Sequence, residues 1–177
     1  MNETLKKLLE ANAEYAESGR FGGDVSESRR KANAAGQRPY AVVVACSDSR
    51  VVPEAVFSAG IGELFVVRTA GNVIGESELG SVEYAVRHLH AGTAVVLGHT
   101  HCGAVRAALC GEFGGAVGAV TGRIKEAIGE ETDPDRACEL NVRRGVETLK
   151  AALGEDGLTV VGAIYDIESG KVALSEE

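Results

Sequence analysis

The sequence predicts an α/β protein: a mainly parallel central sheet of four strands plus an antiparallel edge strand, flanked by helices and preceded by a helical arm. Three observations carry this expectation. Near-continuous apolar runs of about six residues recur along the chain, as in strands buried on both faces. Between them lie segments with apolar residues at helical spacing, and strands alternating with helices build parallel sheets. The last strand follows its predecessor after only a short turn, which suits an antiparallel edge. The 177 residues and the 45% hydrophobic content suit one domain, 1–177, with a real core.

Taken in order, residues 3–17 place Leu5, Leu8, Leu9, Asn12, Tyr15 and Ala16 on one helical face that ends before Gly19. Gly22-Gly23 breaks the chain, and 26–35 reads as a second, polar helix. A minimal strand–helix–strand unit has no place for this arm, 1–36, so its apolar face is expected to pack on a partner subunit. Residues 40–45 form the first strand, and Pro53 opens a short helix through Phe57. Residues 63–68 are the second strand, and Thr69-Ala70-Gly71-Asn72 is a turn. A helix over 77–90 aligns Leu79, Val82, Val86 and Leu89. Residues 93–98 are the third strand, and Cys102 opens a helix through Leu109. The Gly- and Ala-rich segment 111–122 reads as a loop with a loosely specified helix start, helical by 123–128. Asp133-Pro134 is a strong helix start, cap followed by proline, and that helix runs to Leu153. Residues 158–165 are the fourth strand, 166–170 a turn, and 171–174 the edge strand.

The formal net charge of −8 argues against nucleic acid or an anionic membrane surface as partner. No apolar run reaches the ~20 residues that span a bilayer. The first residues lack a signal peptide's apolar segment, so a cytoplasmic protein is expected. No dinucleotide or phosphate-loop glycine motif follows any strand.

Two strand ends carry the chemistry. Val42-Val43-Val44-Ala45 runs into Cys46-Ser47-Asp48-Ser49-Arg50, and Val95-Val96-Leu97-Gly98 runs into His99-Thr100-His101-Cys102. Open α/β sheets bind ligands at the carboxyl ends of their strands. Zinc favours thiolate and imidazole, and catalytic sites use three protein ligands with one open position. Cys46, Cys102 and one histidine supply that count. Spacing leaves His99 and His101 both open, although adjacency to Cys102 gives His101 little freedom to reach the same ion. Cys110 and Cys138 are expected to be small buried hydrophobes.

Cys46-Ser47-Asp48-Ser49-Arg50, Arg68-Thr69-Ala70-Gly71-Asn72 and Gly98-His99-Thr100-His101-Cys102-Gly103 together resemble the motifs of β-class carbonic anhydrases, over residues 38–174. The resemblance implies Cys46, His99 and Cys102 as ligands of one Zn2+ per chain. It implies reversible hydration of carbon dioxide to bicarbonate and a proton by a zinc-bound hydroxide. It also implies a homodimer or a dimer-based higher oligomer, with the arm embracing the partner. In this reading Asp48 accepts a hydrogen bond from the hydroxide and Arg50 holds Asp48 off the metal. Two thiolates cancel the metal's charge, so activity should rise from neutral to mildly alkaline pH.

Val51, Phe57, Val73 and Tyr84 are candidates for an apolar carbon dioxide pocket, with plain core packing as the competing role. Gly103 could bring a backbone amide to the substrate. His101 is the candidate proton shuttle, since histidine titrates near neutrality; His88 and His90 read as solvated. Some relatives place a glutamine shortly before the second strand, where this chain has none. Others bind a regulatory bicarbonate with a tryptophan near the place of Val43, beside residues matching Arg68 and Tyr165. This chain has no tryptophan. An open site without that regulation is therefore expected. Hydrolysis of carbonyl sulfide or carbon disulfide on the same fold, and a zinc module that only braces the fold, are the alternatives.

Overall fold

The computed structural model describes residues 2–175. Five strands form one sheet: β1 (Ala41–Cys46), β2 (Leu64–Thr69), β3 (Thr93–His99), β4 (Thr159–Tyr165) and β5 (Val172–Leu174). Their order is β2-β1-β3-β4-β5, with the first four parallel and β5 antiparallel to β4. The helices are α1 (Glu3–Ser18), α2 (Glu27–Ala32), α3 (Pro53–Val56), α4 (Glu76–Leu89), α5 (Gly103–Leu109), α6 (Gly118–Ile128) and α7 (Pro134–Leu153). No helix among the described residues is long and apolar enough to cross a membrane.

Period-two alternation assigns the strand side chains to two cores. Val42, Val44, Ala94 and Val96 face α4 and α7, meeting Val82, Val86, Val142 and Leu149. Ala41, Val43, Val95 and Leu97 join Leu8, Val56 and Phe57 on the opposite side. A third cluster gathers Cys46, Cys102 and Cys138 with Val105, Ala108, Ile124 and Ile128.

Glycine seats α7 close to the sheet. A Cβ on Gly98 would lie 2.5 Å from Val142 Cγ2, and one on Gly162 would lie 2.7 Å from Val142 Cγ1. Asp133 caps the helix by accepting from the Arg136 amide at 2.8 Å. The backbone of Lys150 closes its other end by accepting from Gly154.

Two expectations, the length of α2 and the burial of Cys110, need correction. The apolar face of α1 packs on its own chain: Leu5 and Leu8 are buried, and Leu8 joins the core beside α3. Asn12 locks this docking, donating to Val56 O at 3.1 Å and Gly170 O at 2.9 Å and accepting from Val172 N at 2.8 Å. The segment after α1 docks on its own chain as well, Ile61 N donating to Asp24 O at 3.0 Å and Arg29 Nε to Ile61 O at 2.9 Å, although Phe21 and Val25 are exposed and α2 buries no residue.

Helix α2 is also shorter than its polar pattern suggested, because Asn33 caps it at Ala32 and donates from its side chain to Arg29 O. Helix α6 begins at Gly118, which places the helix start expected within 111–122; burial of Thr121, Ile124 and Ile128 outweighs the poor helix propensity of its glycines. Cys110 is exposed, since α5 turns Val105 and Ala108 inward and Cys110 lies off that stripe, whereas Cys138 is buried as expected.

Candidate metal centre

Strands β1 and β3 are neighbours, and the register Ala45 to Leu97 brings their carboxyl ends level. Cys46 closes β1, His99 closes β3, and Cys102 caps the start of α5 just beyond. Their ligand atoms all lie within 4.8 Å of one another, and all three residues are buried. A buried imidazole nitrogen without a partner is costly, yet His99 Nε2 has none. The other ring nitrogen, Nδ1, lies 2.9 Å from Thr100 O and must donate to it. That bond selects the tautomer with a lone pair on Nε2, the form that ligates a metal. His101 is thereby separated from His99. The His101 ring is exposed and points to Glu168 at 3.7 Å, and His101 φ is +55.

Amides surround the first sulfur. Gly71 N donates to Cys46 Sγ at 3.2 Å and Asp48 N at 3.4 Å, bonds that favour a thiolate. The hydrogen bond from Cys102 pulls the Cys46 thiol well below its ordinary range. The two amides assist, and burial opposes. The same bond to Cys46, with burial, pushes Cys102 up. Two sulfurs, one of them readily ionised, and an orphaned imidazole nitrogen fit a soft divalent cation such as zinc.

Asp48 lies at the rim of this group, its Oδ2 3.9 Å from His99 Nε2. Arg50 donates from Nε to Oδ1 at 2.9 Å and from Nη2 to Oδ2 at 2.7 Å, and its backbone amide reaches Oδ1 at 3.0 Å. Arg50 thus holds the Asp48 carboxyl well below the usual carboxylate range. Nη2 of Arg50 also donates to His101 O at 3.2 Å, tying together the loops that follow β1 and β3. Arg68, from β2, clamps the loop after β1 through the carbonyls of Cys46 (3.1 Å), Asp48 (2.8 Å) and Val51 (2.7 Å).

The pocket candidates divide. Val73 packs against the cluster that holds the cysteines. Val51 and Phe57 are fully buried core residues on the other side of the sheet. Tyr84 is on α4, exposed, against Phe65 and His88. Gly103 is the first residue of α5, and a Cβ there would meet open space. Asn141 was not singled out from the sequence. Its side chain, buried in α7, donates to Gly71 O at 2.7 Å. A polar residue on a helix face otherwise made of Cys138, Val142, Gly145 and Leu149 was the available signal.

A family model described as carbonic anhydrase matches residues 41–172. A curated relative from Mycobacterium tuberculosis, carbonic anhydrase 2, is 38% identical, covering 97% of this chain and 91% of its own length. The structure of the β-carbonic anhydrase CafA of Aspergillus fumigatus aligns with a TM-score of 0.77 at 29% identity, over 98% of this chain and 90% of that one. A tetrameric β-carbonic anhydrase from Sordaria macrospora aligns with a TM-score of 0.71 at 27% identity, over 98% and 97%. With the two-cysteine, one-histidine group at the sheet's carboxyl edge, these likenesses place the chain in the β-carbonic anhydrase family of enzymes.

Proposed function

We propose that this chain hydrates carbon dioxide reversibly, CO2 and H2O giving bicarbonate and a proton, with Cys46, His99 and Cys102 holding one Zn2+. The observation that carries this reading is a buried three-ligand group whose neighbouring carboxylate is engaged elsewhere, by Arg50. A structural zinc site is closed by four protein ligands, and only three converge here among the described residues. The bound metal would supply Lewis acidity that makes water a nucleophile near neutral pH.

The chain's own residues then handle orientation and protons. Asp48, kept ionised by Arg50, accepts the O–H of the attacking water on Oδ2 and so turns a lone pair toward the carbon of the substrate. Arg50 keeps that carboxylate from becoming a fourth ligand, which leaves the site open. The proton released leaves through water toward the rim, where the exposed His101 ring beside Glu168 can take it. Val73 and the backbone at Gly103 border the substrate's approach.

Assembly into a homodimer, or a larger oligomer built from dimers, belongs to the same reading. The outer strand β2, the exposed Phe21 and Val25, and Tyr84 on α4 are the surfaces assigned to the partner. The tetramer described for the Sordaria relative supports an assembly of this kind.

Stopped-flow hydration of carbon dioxide by zinc-quantified protein, from neutral to mildly alkaline pH, tests the proposal. Fast hydration that rises with pH supports it. No hydration with one zinc per chain overturns it and makes carbonyl sulfide the next substrate to assay.

A further inference from the structure

Asn141 is a buried amide in the middle of α7, in a place where the neighbouring inward positions are apolar. Asparagine is a poor helix former, and a buried amide is tolerated only where its bonds are made. Its Nδ2 donates to Gly71 O at 2.7 Å across 70 residues of sequence. The amide of that same glycine donates to Cys46 Sγ at 3.2 Å in buried surroundings. One residue therefore links a helix on the sheet's face to a sulfur of the metal group.

Gly71 has no slack in this position. Its φ is +65, in the left-handed region that favours glycine. A Cβ on it would lie 2.7 Å from Ile124 Cδ1 and 3.1 Å from the Cβ of Ala104. Helices α5 and α6 thus confine Gly71 from the sides, and Asn141 anchors its carbonyl from α7. Helix α7 is itself a firm base, since Val142, the next residue, sits against Gly98 and Gly162 of β3 and β4. The other amide on Cys46 Sγ comes from Asp48, at a longer 3.4 Å.

We infer that Asn141 is a positioning residue of the metal centre, holding Gly71 so that its amide donates to the Cys46 sulfur and sets how strongly that sulfur binds the metal. The inference rests on Cys46 being a metal ligand, and it adds a residue outside the motifs that flank the ligands. Outer hydrogen-bond partners of metal ligands typically change affinity by about 10–100-fold when removed. Asn141 should behave as one of them although it touches no ligand.

The test compares Asn141→Leu, Asn141→Gln and Leu149→Ala with the unaltered chain, all purified with zinc. Zinc affinity is measured by chelator competition, and the thiolate-to-metal charge-transfer band after exchange into Co2+. Asn141→Leu should lower zinc affinity about 10–100-fold and shift the band. Asn141→Gln, which keeps the amide donor, should recover part of both. Leu149→Ala removes buried packing of the same helix about two turns beyond Asn141, and should lower the melting temperature while leaving affinity and band near those of the unaltered chain. Equal effects in Asn141→Leu and Leu149→Ala, or no effect of Asn141→Leu on the band, would overturn the inference. Should Asn141→Leu not fold, Asn141→Ser, which cannot span the same distance, takes its place with the same expected shift. Failure of the unaltered chain to bind zinc would instead remove the metal-site reading beneath it.

Discussion

Arg50 grips Asp48 through both carboxylate oxygens, at 2.9 and 2.7 Å, while Oδ2 of the same carboxylate stands 3.9 Å from the unpartnered Nε2 of His99. The carboxylate is close enough to compete for whatever His99 binds, and the guanidinium is what restrains it. Arg50→Ala is expected to keep its zinc but lose about 10²-fold in hydration rate, within the range of a lost proton-handling group. Arg50→Lys should recover only part, because an ammonium cannot make the two-pronged pair. Stopped-flow rates alongside metal analysis check this; an unchanged rate in Arg50→Ala would reduce the pair to a surface contact.

Metal loading should stabilise the fold, since the ligands come from β1, β3 and the start of α5. A site held at 100 times its Kd contributes about 2.7 kcal/mol. At roughly 2–4 °C per kcal/mol for a domain of this size, chelation should lower the melting temperature by ~5–10 °C. His99→Ala should show no chelator-dependent shift in calorimetry.

Arg68 is committed to three main-chain carbonyls of the loop after β1. Val43, near the place where some relatives have a tryptophan, is sealed in the core, and Tyr165 is buried as well. Added bicarbonate should therefore act only as product, with initial hydration rates that fall smoothly and without cooperativity. Arg68→Met should cost about 1–2 kcal/mol in urea unfolding, as charged hydrogen bonds to carbonyls are lost. A sigmoidal collapse of rate with bicarbonate would contradict this reading.

Alkaline stability follows from a tyrosine. Burial, and then the charge of Glu63, push Tyr40 up to about 12. A pKa raised in the folded state means that the folded protein holds the phenol proton longer than the unfolded chain does. The contribution is therefore complete below the unfolded pKa near 10 and is lost as pH climbs from there to about 12. Urea midpoints measured across that window should fall, and Tyr40→Phe should flatten part of the fall.

The strand ends were readable because apolar runs stop abruptly at residues with chemistry: Cys46 after Ala45, His99 after Gly98. Asp133-Pro134 announced α7 to the residue. What the sequence left open was direction. The stripe of α4 shows that Val82 and Val86 point inward, yet nothing local says that Tyr84 looks outward beside Phe65. The face of α1 was visibly apolar, but its destination depends on the bonds Asn12 makes to Val56, Gly170 and Val172, far along the chain. The choice of His99 over His101 rests on a single carbonyl, Thr100 O, and on a left-handed turn at His101. Spacing cannot encode either. Asn141 was hidden for a different reason: its partner is a backbone atom, so no pair of side chains marks the contact.

The outward turn of Cys110 has a practical side. Helix α5 has Cys102 at its head and Cys110 at its foot, the former buried beside Cys46 and His99 and the latter facing solvent. A maleimide dye should therefore attach at Cys110 while the buried Cys46, Cys102 and Cys138 stay protected. Two turns of rigid helix would then connect the fluorophore to the metal. Its emission would then be read during zinc addition and chelation, as an optical check on the proposed site.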